Sequence, residues 1–313
     1  MIWPVFNRIA APRYGLILLY HSVFEQVPRD LVRGIHNIRP HLLAEQLDWV
    51  TGHFEIVSLD EFLELDDVKG KAAITFDDAY ESVFDHGLPI LRARSLPATI
   101  FLNAKTVQGA PFWRDKIRYL INNDLVASFL AFRQDRWPDD VLLDEANFYR
   151  ESKTRGINGL RLDEQIDAFA EFKDLEKDFA RLNSYMASEA DLIDDPLIAY
   201  GNHSLGHFVL SSLERNQQAA EIRNNHKALK QFGLPMSKNF AFPFGDLPDF
   251  DDVTLSILHE DGYSGALLSR NRLNARNRQT SYYAERWMPP DDMALFHRKL
   301  ANMIIRQIRG HPN

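Results

Sequence analysis

Short apolar runs recur along this chain, and helix signals fill the gaps between them. Leu16–Tyr20, Ala72–Phe76, Ala98–Leu102, Leu197–Tyr200, Asn239–Phe242 and Tyr263–Leu268 have the length and content of buried strands. Pro40–Val50 carries Leu42, Leu43, Leu47, Trp49 and Val50 at helical spacing, and Ser58 with Glu61 makes a capping-box-like start to a second helix. Ser82–Arg94 reads as a third, with Gly87-Leu88-Pro89 as a flaw that can mark its true start. Strands alternating with helices predict a mostly parallel α/β fold. Six or seven such strands predict a distorted, partly closed (β/α) barrel with its chemistry at the strands' C-terminal ends.

The rhythm breaks between Phe112 and Asp195. Asp163 is placed to cap one long helix bearing Ile166, Phe169, Phe172, Leu175, Phe179 and Leu182. We therefore expect one domain over residues 1–313, interrupted by a helical insertion at about 112–196.

A chain of 313 residues, 45% of them hydrophobic, can bury a substantial core. Its net charge of −8 argues against a nucleic-acid partner, which would need a basic face. With no cysteine there is neither a disulfide nor a thiolate metal site. The apolar stretch Leu16–Leu19 is too short for a signal peptide or a transmembrane segment. The expected location is cytoplasmic, or extracytoplasmic if the chain is a processed mature form. Oligomeric state is left open.

Chemistry concentrates at Thr75-Phe76-Asp77-Asp78 and at His203-Ser204-Leu205-Gly206-His207. Successive side chains at a strand end point to opposite sides, which would give the two carboxylates different environments. One can hold a cation while the other acts as a base, or both can be a structural pair capping the next helix. Two histidines four apart, if helical, share one face, with Asn202 or Ser204 as the helix cap. Together with one carboxylate they make a two-histidine, one-aspartate set that leaves positions open for water and substrate.

These residues resemble the polysaccharide deacetylases of the NodB-homology type, carbohydrate esterase family 4. The resemblance implies that Asp77 is the catalytic base and that Asp78, His203 and His207 bind one divalent metal ion, zinc first, with cobalt, nickel or manganese suited to the same ligands. Phe240-Ala241-Phe242-Pro243-Phe244-Gly245 looks like the family's third motif. There Phe244 would offer its backbone N–H to the oxyanion, and Pro243 would border the substrate. The arginine that many members carry before this proline is absent, and Arg286 is the candidate to orient the base instead. The late L-x-x-H motif is also missing. Leu18-Leu19-Tyr20-His21-Ser22-Val23 resembles the opening of a permuted subgroup that includes the poly-N-acetylglucosamine deacetylases, which makes His21 the candidate acid.

The implied activity is hydrolysis of acetyl groups from an N-acetylated or O-acetylated oligo- or polysaccharide. Two other readings stay open: a deacylase or deformylase of a lipid-linked or nucleotide sugar, and a non-catalytic saccharide-binding protein on the same fold. Trp113 either borders the sugar cleft, where aromatic rings stack on pyranose faces, or packs a helix start. Arg270, Arg272, Arg276 and Arg278 read as a solvated loop ahead of an anion site.

Overall fold

The computed structural model describes residues 14–274 and 282–308, so Arg276 and Arg278 lie outside the described residues. Eight parallel strands form one sheet: β1 (Leu16–Tyr20), β2 (Glu55–Ile56), β3 (Lys71–Asp77), β4 (Ala98–Leu102), β5 (Ile198–Asn202), β6 (Met236–Ala241), β7 (Gly265–Leu268) and β8 (Tyr283–Glu285). Their order is β1-β3-β4-β5-β6-β7-β8, with β2 against the start of β3. The sheet all but closes on itself. Just past β8, the Trp287 N–H donates to the Ile17 carbonyl and the Leu19 N–H donates to that of Trp287, both at 2.9 Å. The chain so returns to β1 and leaves a barrel with one open seam.

Side chains alternate across each strand. Leu16, Leu18, Ala72, Ile74 and Ile100 join the core under the surrounding helices. Ile17, Ala73, Phe101, Ala241, Leu267 and Ala284 form a second, inner core. That inner space is small, and Phe101 fills much of it. Its partner across the β4–β5 ladder is Gly201, where an added Cβ would lie 2.3 Å from the Phe101 ring.

The helix at Pro40–Thr51 starts on its proline, and the Ser58 side chain accepts the Glu61 N–H at the start of Leu59–Glu64. Gly87-Leu88-Pro89 does not begin the next helix but lies inside it. A widened π turn over Val83–Gly87 runs into Leu88–Arg92, and the Leu88 N–H reaches back five residues to the Val83 carbonyl. The wide turn makes room for Pro89, which has no N–H to donate and whose ring would crowd an α-helical carbonyl.

Between β4 and β5 the chain is helical, and the single long helix expected from Asp163 is two helices. Asn158 caps Gly159–Phe172 by accepting the Arg161 N–H. The break falls where Asp174 turns left-handed at φ 56° and the Leu175 N–H returns to the Ala170 carbonyl, before Glu176–Leu182 begins. Asp163 lies buried within the first helix, paired with Lys116 at 2.7 Å. Among the described residues no helix is long and apolar enough to cross a membrane.

Replacing Gly201 by alanine should overpack the inner core and cost about 1–3 kcal/mol. Urea denaturation would show this as a lower midpoint at unchanged slope. An unchanged midpoint would mean that Phe101 can move aside.

Candidate active site

Strand alternation lays out most of the site. Two steps of two residues beyond inward-facing Ile17 and Ala73 stand His21 and Asp77, and one such step beyond Gly201 and Ala284 stand His203 and Arg286. Four residues remote in sequence therefore share the C-terminal rim of the barrel. Asp77 and Arg286 are both buried and form a two-pronged pair, with Nη1 to Oδ1 at 2.7 Å and Nη2 to Oδ2 at 2.8 Å. Arg286 also donates to the Leu268 carbonyl and the Ser269 hydroxyl, above the Phe101 ring. Burial alone would raise the Asp77 carboxyl, but the paired Arg286 guanidinium overrules it and holds Asp77 below the usual range.

Asp78 does not point away from Asp77 as strand alternation predicts. Left-handed backbone at Asp78 (φ 71°) and Ala79 (φ 60°) ends the strand and swings the carboxylate back over the rim. Its Oδ1 lies 3.2 Å from His207 Nε2 and 3.6 Å from His203 Nε2.

Nor are the histidines on a helix. They sit on a tight loop after β5, where Ser204 and His207 are themselves left-handed, each at φ 61°. Neither Asn202 nor Ser204 caps a helix there. Asn202 accepts the Ser204 N–H, Ser204 Oγ accepts the His207 N–H, and Glu221 accepts the Gly206 N–H. Asn103, at the end of β4, donates to the His203 and Ser204 carbonyls. Short polar side chains replace the helical bonds that the spacing suggested.

The three groups suit a divalent cation. Their ligating atoms lie within 4.8 Å of one another. His203 Nδ1 is 2.8 Å from the Ala241 carbonyl, so it carries the proton and Nε2 faces the site with a lone pair. That Nε2 and Asp78 Oδ1 are buried without hydrogen-bond partners. Burial and the neighbouring Asp77 push the Asp78 carboxyl up to about 8, while burial holds both imidazoles below their usual range. Neutral imidazoles around a carboxylate short of positive charge fit a hard or borderline dication.

The remaining predicted residues divide. His21 is half-buried on a cavity of about 370 Å³ with His36, Met288 and Pro290, its ring 5.3 Å from that of His36. Burial and His36 hold its pKa well below the ordinary histidine value. Phe244, left-handed at φ 64°, packs its ring on His207 with centroids 4.7 Å apart, and its N–H meets no acceptor among the described residues. Pro243 is buried. So is Trp113. It is 3% exposed, and its indole N–H donates to the His207 carbonyl at 3.0 Å. Arg270 of the basic stretch pairs with Glu285.

Sequence reasoning missed a buried network beside the ligands. Tyr80 donates to Asp115, which also pairs with Arg118 from the next turn of Trp113–Asn122. The signal was available in Arg114, Asp115, Lys116 and Arg118, four charges crowded beside the apolar stripe of Trp113, Ile117, Leu120 and Ile121 in one short helix. Asn103 and Asn202, each closing an apolar strand, were similar cues.

Arg286→Gln should cost about 3–5 kcal/mol by stranding the buried Asp77 charge. A depressed carboxylate pKa contributes stability above its unfolded value that is lost as pH falls through the folded one. The penalty should therefore be full at neutral pH, shrink as Asp77 protonates, and be largely relieved in the Asp77→Asn, Arg286→Gln double variant. Denaturation across pH checks this, and a pH-independent penalty would point to packing.

A family profile described as polysaccharide deacetylase matches residues 65–126 and 181–266, leaving out His21, Arg286 and most of the helical insertion. No curated protein matches the sequence. Among solved structures, the Streptococcus pyogenes deacetylase PplD in complex with acetate is similar at 15% identity, covering 94% of this chain and 99% of that one with a TM-score of 0.54. IcaB from Ammonifex degensii is 15% identical over 93% and 97% of the two chains, with a TM-score of 0.55. A de-N-acetylase from Aggregatibacter actinomycetemcomitans is 12% identical over 91% and 99%, with a TM-score of 0.56. At such identities these neighbours speak to the fold. The profile covers β3 to β6 with both loops that carry the candidate ligands, on either side of an unmatched helical stretch, and over those residues the chain is similar to the polysaccharide deacetylase family.

Proposed function

We propose that this protein is a metal-dependent hydrolase that removes acetyl groups from an N-acetylated saccharide. The observation that carries this reading is the convergence of Asp78, His203 and His207 beside an Asp77 kept ionised by Arg286. The acetate-bound neighbour and the neighbour named a de-N-acetylase support the same chemistry. A dication held by the three ligands would polarise the acetyl carbonyl and acidify water.

Asp77 takes the proton of the attacking water, and Arg286 fixes its direction and charge. The Phe244 N–H is free to donate to the carbonyl oxygen as negative charge builds there. His21 returns a proton to the departing nitrogen. Because burial and His36 keep His21 uncharged at rest, it delivers the proton that Asp77 took from the water, passed on to it before the C–N bond breaks. A non-catalytic binding protein would have no use for a buried, paired base beside an intact ligand set.

Asp77→Asn should keep about one divalent ion per chain by mass spectrometry and lose acetate release by at least 100-fold, while His203→Ala should lose the ion. Full turnover in Asp77→Asn would remove Asp77 from the base role. His21→Ala should slow amide hydrolysis by about 10²–10⁴-fold. It should leave hydrolysis of an aryl acetate within about tenfold, because a phenolate leaves without protonation. Equal losses on both substrates would show that His21 acts otherwise.

A further inference from the structure

The insertion brings positive charge to the edge of the site, and nothing in the mechanism uses it. Arg114 is buried and has no carboxylate partner among the described residues. Its guanidinium donates to the Ser152 hydroxyl and the Tyr149 carbonyl, leaves Nε without a partner, and stacks against Trp113, Tyr149 and Phe244. Lys153, half-exposed, holds its ammonium 4.9 Å from the Tyr149 ring centroid and 5.6 Å from that of Phe244. Phe244 in turn lies against His207. Asp249 faces Lys153 from beyond ion-pair distance, and burial brings that carboxyl up to about 6.

The surroundings register the excess. Burial alone would raise the Tyr149 phenol, yet Arg118, Arg114 and Lys153 together bring it down to about 7. Across the mouth, burial with Arg118 and Lys153 lowers His36, the neighbour of His21, to about 4. Cations held by aromatic faces, with no carboxylate of their own, await an anion from outside.

We propose that Lys153, backed by Arg114 and set between Tyr149 and Phe244, determines specificity by binding a negatively charged group, carboxylate or phosphate, on the saccharide next to the acetylated sugar. The saccharide and its acetylated sugar come from the deacetylase reading, on which this proposal rests; the preference of Lys153 for an anion is tested apart from turnover.

Calorimetric titration would compare three probes on wild type, Lys153→Gln and Lys153→Arg. They are the neutral N-acetylglucosamine tetrasaccharide, a tetrasaccharide alternating N-acetylglucosamine with glucuronic acid, and the neutral chain carrying one 6-phosphate. At least one acidic probe should bind wild type about tenfold more tightly than the neutral chain, as one charge-assisted hydrogen bond allows. The preference should weaken with added salt, collapse in Lys153→Gln and survive in Lys153→Arg. Which acid is preferred distinguishes a uronate from a phosphate. Neutral binding as tight as both acids, no measurable binding by any probe, or a preference retained in Lys153→Gln would overturn the assignment. Preference without acetate release would instead sink the deacetylase reading and leave Lys153 in place.

Discussion

The ion pair between Asp77 and Arg286 ties the first half of the barrel to its last strand, and the site depends on it. Two charges removed from water this completely carry a large desolvation cost, offset only by close, directional contact. Both guanidinium prongs are engaged, and two further donors go to Leu268 and Ser269, so the arginine cannot tilt without losing several bonds together. The pair also divides the work of two adjacent carboxylates. Arg286 neutralises Asp77, which leaves Asp78 as the one short of a counter-charge.

Strain gathers where that division is made. Among the described residues nine that are not glycine have positive φ, and Asp78, Ala79, Ser204, His207 and Phe244 are five of them. Each such conformation costs of order 1–3 kcal/mol and persists only when its surroundings enforce it. The enforcement around the histidines is visible in Asn103, Asn202 and Glu221, whose side chains bind the loop backbone, and in Asn225, which donates to the Asn202 side-chain oxygen. The barrel beneath is more regular, its ladders interrupted by a register shift between β5 and β6.

That contrast explains what could be read from the sequence. Six strands were legible because each is a compact apolar run whose burial is written in its residues. The three-residue β8, Tyr283-Ala284-Glu285, has no such run and exists because β7 and the returning chain pair beside it, so the place of Arg286 could be guessed but not constructed. Asp77, Asp78, His203 and His207 were legible as a set, while their local geometry was not. Strand alternation fails at Asp78 because its φ is positive, and a four-residue histidine spacing arises here from a loop. Trp113 was visible as a large aromatic, but only the fold turns its N–H toward His207. Positive charge was sought in the arginines after β7, whereas the unpaired cations come from Arg114 and Lys153, apart in sequence and joined through Tyr149.

The bond from Trp113 to the His207 carbonyl links two parts of the chain that look independent in sequence. One end belongs to the helical insertion and the other to a residue of the ligand set. Equilibria that share a group cannot be shifted separately. Whatever fixes His207 in its left-handed pose must also favour a docked first helix, and a helix that pulls away must loosen that histidine. Occupancy of the centre and order in the insertion are in this sense two readings of one free energy.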